Sequence, residues 1–287
     1  AYTVRALAGL IGAKGLLDWG GVGLPDRSCD EAYAYAAAAW RDYEAVRLGD
    51  KSATVLSKFE TFVASARSLA GAFGLGSAGR PPQFVAPVPI AAIGVWDTVG
   101  SLGIPGAGDA SAVPVDLFQF ANTALGANVD KAFHAVAIDE QRVDFRPTLW
   151  DDDPRVAQVL FAGAHCDVGG GYPLGAESLL SDIALDWMAR AMQGEGMALS
   201  LPGVAKGAAL GPSHRPWTKP PFNLRAFGPR ALPKAHSGGL ALHASVGERL
   251  GQCVKAIADA EPHVVQELVY APSALLMGGY VKVTPAP

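Results

Sequence analysis

The chain of 287 residues is poor in the residues that mark several large functional classes. Its three cysteines, Cys29, Cys166 and Cys253, are odd in number, widely spaced and form no C-x-x-C pair. That pattern argues against a disulfide framework and a zinc ribbon, and makes a reducing compartment the default. Aromatic residues are only 8%, and Ala and Gly supply much of the apolar half, as at Ala36 to Ala39, so close helix packing is favoured over a bulky ligand cavity. No dense run of Lys and Arg occurs, and 27 acidic against 23 basic residues leave a formal net charge of −4. The electrostatic footprint of a nucleic-acid binder is therefore missing, and no such partner is expected. No apolar run approaches the roughly 20 residues of a membrane-spanning helix. The opening AYTVRALAGLIGAKGLL, broken by Arg5, Gly12 and Lys14, reads neither as a span nor as a signal peptide. There is no G-x-x-x-x-G-K-[ST], no G-x-G-x-x-G opening a helix, no H-E-x-x-H or clustered histidines, and no internal repeat, so neither cofactor nor metal is expected.

What is present is an alternation of helical and strand-like segments. Val4, Leu7, Ala8, Ile11 and Leu16 recur at helical spacing, which predicts a buried helix from Tyr2 to Leu17. Further helices are expected over 31–48 and 53–69, and 28–70 reads as a helical, cap-like insertion. After a Gly and Pro punctuated loop, PIAAIGVW at 89–96 is a short continuous apolar run ending in DTVGS, the pattern of a strand buried on both faces. A helix is predicted over 129–141, a second buried strand from Ala157 running into HCDVGGGYP, and an amphipathic helix over Ser181–Met192 capped by Ser181. Residues 200–240 form a long connection, followed by a helix from His243 to about Ala260 and weak strand signals at LVY and YVKV. The fold class expected is α/β, with a doubly wound parallel sheet flanked by helices.

In open parallel sheets reactive groups gather at the carboxyl ends of the strands. Asp97 ends the first strand and His165 the second, in the order acid then histidine that follows the serine in an α/β-hydrolase triad. A serine hydroxyl needs an imidazole to take its proton and a buried carboxylate to fix the tautomer. No serine of the chain centres a G-x-S-x-G elbow. Ala235-His236-Ser237-Gly238-Gly239 fits only the variant A-x-S-x-G, after Pro229 and Pro233 that spoil a preceding strand.

The blocks GVWDTVGSLG at 94–103, FHAVAIDEQRVDFRPTLW at 133–150, VLFAGAHCDVGGGYP at 159–173 and LSDIALDWM at 180–188 resemble the α/β-hydrolase family DUF2235, which includes the catalytic domain of Tle1-type phospholipase effectors of bacterial type VI secretion. LHASVGERL at 242–250 and YAPSALL at 270–276 are similar to the end of such domains. The resemblance implies that 1–287 is the C-terminal part of one hydrolase domain. The family's elbow, similar to G-F-S-R-G-A, would then end at Ala1, with the nucleophile three residues before it. The N-terminal strands and part of the oxyanion hole would also lie upstream. It implies a serine hydrolase cleaving carboxylic esters, with phospholipid acyl esters as the substrate class, and a fragment that is inactive as it stands. It further implies a lipid substrate, contact with a membrane surface, a secretion-system or immunity partner, and a bacterial cytoplasmic origin with delivery to a target cell. The alternative class is a non-catalytic domain, derived from a hydrolase, that binds a partner or a membrane.

Each residue also has a plainer reading. Asp97 could cap its own turn by bonding Val99 or Gly100, and His165 could be a satisfied core histidine. Asp167 is the alternative acid and His243 the alternative base. Gly169, Gly170 and Gly171 let the backbone pass close to the substrate or the elbow. Asp139, Glu140 and Arg142 read as the charged end of a helix, a solvated face or a local ion pair, while the family resemblance implies a structural clamp near the active site. The Asp151-Asp152-Asp153 cluster reads as a solvated turn, and Trp96 as packing.

Overall fold

The structure, a computed structural model, describes residues 1–18, 36–43, 84–85, 88–99, 123–201, 203–232 and 240–276. Most of the predicted insertion over 28–70, the Gly-rich stretch over 102–114, the A-x-S-x-G motif and the YVKV segment lie outside the described residues. The chain divides into two units.

The smaller unit takes in residues 6–90 and 126–128. It holds most of helix α1 (Tyr2–Lys14) and an antiparallel pair of short strands, β1 (Leu16–Leu17) and β2 (Phe84–Val85). Residues 36–43 are helical. Asn128 donates its amide to the Ala8 carbonyl at 3.3 Å, and Lys14 pairs with Asp42 at 3.5 Å.

The larger unit is built on a four-stranded sheet in the order β3 (Ile90–Trp96), β4 (Val129–Ala137), β5 (Val156–Phe161), β7 (Ala241–Leu242). β4 runs parallel to β5, and β5 to β7. The Asp97 N–H reaches the Ala135 carbonyl and the Ile90 N–H that of Asn128, so the contacts advance together and β3 is parallel too. A second sheet pairs β6 (Ser213–Arg215) in parallel with β8 (Cys253–Ala258), which runs antiparallel to β9 (Val265–Val269).

Side chains on a strand alternate between faces. Ala135, Ala137, Val159 and Phe161 point to one core, where α3 (Leu179–Gly194) covers them with Leu180, Ile183, Ala184, Trp187 and Met188. Val136, Ile138, Leu160, Ala162 and Leu242 point to the other, closed by Val246 of α4 (Ala244–Arg249), Tyr270 and Ala274 of α5 (Ser273–Leu276). Both faces are covered, which is why these strands read as unbroken apolar runs. Trp96 packs against the first core.

Four expectations about elements are corrected. Residues 129–137 form a strand rather than the start of a helix: alanines and a leading Asp-Lys mimic a helix, but a strand buried on both faces shows no polar alternation to betray it. Asp139, Glu140 and Arg142 accordingly follow a strand, not a helix. The helix after His243 ends at Arg249, and Cys253–Ala258 is β8, with buried Val254 and Ala256 alternating with exposed Cys253 and Lys255. Ser178, not Ser181, precedes α3; its hydroxyl bonds Asp182 at 3.1 Å, while Ser181 lies inside the helix.

Candidate active site

β3 and β5 flank β4, and the chain leaves all three at the same end of the sheet. Asp97 follows β3 at φ 37°, in the left-handed region that Asp tolerates better than most residues. His165 opens the five-residue helix α2 (His165–Gly169) after β5. The turn between β5 and α2 depends on Gly163 (φ 108°), where a Cβ would lie 2.4 Å from the Asp167 Cβ.

The Asp97 carboxylate is fully buried, and each oxygen has two partners. Oδ1 accepts from the Ala137 N–H at 2.9 Å and the Arg230 guanidinium at 2.6 Å. Oδ2 lies 2.7 Å from His165 Nδ1 and accepts from Arg230 at 2.9 Å. Burial by itself raises the Asp97 carboxyl; the Arg230 charge and the hydrogen bonds from His165 and Arg230 outweigh it and hold the group well below the usual carboxylate range. A permanently charged carboxylate at Nδ1 places the imidazole proton there and leaves Nε2 as the basic nitrogen. Nε2 makes no hydrogen bond to a described residue, and the His165 side chain keeps 27% of its surface. Among the described residues nothing occupies the hydrogen-bonding position of Nε2, the nitrogen that an incoming hydroxyl would meet.

The histidine is held from two other sides. Its backbone N–H donates to Glu140 Oε2 at 3.2 Å. Glu140, buried, forms a bidentate pair with Arg142 at 2.9 and 2.8 Å, and the Arg142 guanidinium lies 3.4 Å over the Phe145 ring. Phe145 meets the His165 ring edge-on at 5.3 Å. Glu140 and Arg142 therefore form a local ion pair that also grips the backbone of His165.

Beneath the Asp97 loop, His134 is fully buried. Its Nε2 accepts from the Thr98 N–H at 3.0 Å, so the neutral ring carries its proton on Nδ1 and donates to Gln158 Oε1 at 3.2 Å. Burial and the Arg5 charge push its pKa down to about 4, against the raising influence of Asp97 and Gln158.

Asp167 goes elsewhere than His165. Oδ2 accepts from the Ala164 and His214 N–H groups at 2.8 and 2.9 Å, and Oδ1 lies 2.6 Å from His214 Nδ1. His214 stacks on Tyr172 and has Glu177 at 3.4 Å. Burial lowers the His214 pKa, but Asp167 and Glu177 reverse this and the net shift is upward. His243 precedes α4 and caps it: Nδ1 accepts from the Ser245 N–H at 3.2 Å, and the ring stacks on Phe161. Gly169, Gly170 and Gly171 are exposed; Gly170 and Gly171 have φ of 82° and 135°, so the turn needs glycine for its backbone shape. Asp153 pairs with Arg155 at 2.6 Å, and among the described residues no His, Cys, Asp and Glu cluster could hold a metal ion.

Arg230 is the residue that sequence reasoning passed over. It lies 133 positions from Asp97 in a Pro and Gly punctuated connection. An arginine with no acidic neighbour in sequence, Gly228-Pro229-Arg230-Ala231, was the available signal.

No curated protein and no solved structure matches the chain. No helix among the described residues is long and apolar enough to cross a membrane. The family model described as the catalytic domain of Tle1-like phospholipase effectors of type VI secretion matches residues 1–191, a span that holds both Asp97 and His165. The chain belongs to that family, the Tle1-like phospholipase effectors.

Proposed function

We propose that the chain carries the acid and the histidine of a Ser-Asp-His triad that cleaves the acyl esters of phospholipids. In this reading the serine lies upstream of Ala1, on the elbow that the family resemblance places just before α1. The observation that carries the reading is the 2.7 Å contact between Asp97 Oδ2 and His165 Nδ1, with Nε2 bonded to none of the described residues.

In the first step Nε2 takes the serine proton as Oγ attacks the ester carbonyl, and Asp97 stabilises the imidazolium that forms. His165 then returns the proton to the departing alkoxide, which leaves an acyl-enzyme. Water, activated by the same nitrogen, attacks the acyl group and releases the fatty acid and the serine. The buried Glu140–Arg142 pair and the Phe145 ring keep the imidazole in place through both half-reactions. Membership of the effector family supports the lipid substrate and delivery by a secretion system.

The test is hydrolysis of a short-chain p-nitrophenyl ester and of a phospholipid by this chain and by a version extended upstream through the serine. Turnover by the extended protein alone, lowered about 10⁴-fold by His165→Ala, is the expected result. Equal turnover by the shorter chain would place the nucleophile within it and refute the upstream serine. Inactivity of both would favour a binding domain derived from a hydrolase.

A further inference from the structure

We infer that Arg230 is a positioning residue for the catalytic acid, so that the connection after residue 200 completes the active site. The inference rests on the triad reading above. It concerns a residue outside the span that the family model matches.

A carboxylate on a free side chain rotates, and only one orientation aims an oxygen at Nδ1 of the histidine. Arg230 removes that freedom. Its two terminal nitrogens sit on the two oxygens of Asp97 at 2.6 and 2.9 Å, the fork-on-fork geometry that fixes a carboxylate in its plane. The same nitrogens donate to the Ala137 carbonyl at 2.6 Å and the Phe145 carbonyl at 2.5 Å. One guanidinium thus joins the acid, the end of β4 and the residue whose ring packs on His165.

Arg230 is itself held. Phe227 forms a bridge with Arg142, the Gly228 N–H donates to the Gln141 carbonyl at 2.9 Å, and Arg225 pairs with Asp144. Residues 225–230 therefore strap onto the loop 141–145, the loop that bears Arg142 and Phe145. Only 5% of Arg230 is exposed, so the strap delivers a charge that solvent does not screen.

Two separable effects follow. The fork orients Asp97, which needs two donors in one plane; a lysine supplies a charge but no fork. The charge partly offsets that of Asp97 as His165 experiences it, and a lysine preserves this while a glutamine does not.

The experiment compares Arg230→Lys and Arg230→Gln in the protein that includes its upstream serine, with His165→Ala and Asp97→Asn alongside and thermal midpoints measured for all. Arg230→Lys should lower kcat between about 10- and 100-fold with KM nearly unchanged and the pH profile of kcat/KM in place. Arg230→Gln should lower kcat similarly and also move the acidic limb of that profile to higher pH, because an unshielded Asp97 holds the imidazolium more tightly. Wild-type kcat and an unmoved profile in both variants would overturn the inference while leaving the triad intact. Full activity in His165→Ala and Asp97→Asn would instead sink the triad reading itself. Should Arg230→Gln fail to fold, Arg230→Lys decides: a kcat loss without a matching KM rise supports positioning, and an unchanged kcat refutes it.

Discussion

Burial of the neutral His134 ring beneath the Asp97 loop makes the fold's stability depend on pH in a calculable way. The ordinary histidine value is 6.5 and the folded value about 4, so between these limits the unfolded chain binds a proton that the folded chain refuses. The contribution is complete above the unfolded value and is lost as the pH falls toward the folded one. From about pH 7 to about pH 4.5 the loss comes to about 2 kcal/mol. Asp139 acts in the opposite sense. Burial raises its carboxyl to about 6 despite hydrogen bonds from Gly163 and Tyr270, so the folded chain takes up a proton first and gains stability as the pH falls through that value. The wild-type curve alone would hide both contributions. His134→Gln keeps an acceptor for the Thr98 N–H and removes the titration. The difference between variant and wild type in urea-unfolding free energy should therefore shift by about 2 kcal/mol in favour of the variant across that pH interval. Parallel curves for the two proteins would refute the neutral, buried state of His134.

Other outcomes follow from packing and charge. Trp187, 4% exposed and edge-on to Phe133 and Phe161, leaves its indole N–H without a partner among the described residues. Trp187→Ala should cost about 3 to 5 kcal/mol in chemical denaturation, whereas Trp187→Phe should cost less than about 1.5 kcal/mol because it removes the orphaned donor along with the lost contacts. Gly163→Ala forces a side chain into a left-handed backbone and against Asp167, and should destabilise the chain by at least about 2 kcal/mol in thermal unfolding. Asp167→Asn removes the largest charge that raises His214 against its burial, with Glu177 and Asp259 left in place, so the His214 titration followed by NMR should move down from its wild-type position.

The strands that end in Asp97 and His165 were legible because a short apolar run flanked by turn residues suits a buried strand and little else; IAAIGVW and VAQVLF are the observed β3 and β5. β4 was misread because Ala132, Ala135 and Ala137 are good helix formers, and only its pairing with β5 overrides that preference. The pairing of Asp97 with His165 was accessible from strand order and residue type. The destination of Asp167 was not, because a carboxylate two residues beyond a histidine gives no hint that it serves His214, 47 positions later. Arg230 was hidden for the same reason: its partners are carbonyls and a carboxylate assembled only by the fold.

The arrangement of the two cores sets how the protein should fail under stress. Acid and histidine are rooted at the ends of β3 and β5, and the strand between them has Ala135 and Ala137 sealed against one core and Val136 against the other. Amides of such a strand exchange with solvent only when the whole unit opens. The distance between Asp97 and His165 is therefore a property of the global fold rather than of a pliable loop, and heat or urea should leave it undisturbed until the unit unfolds in a single step.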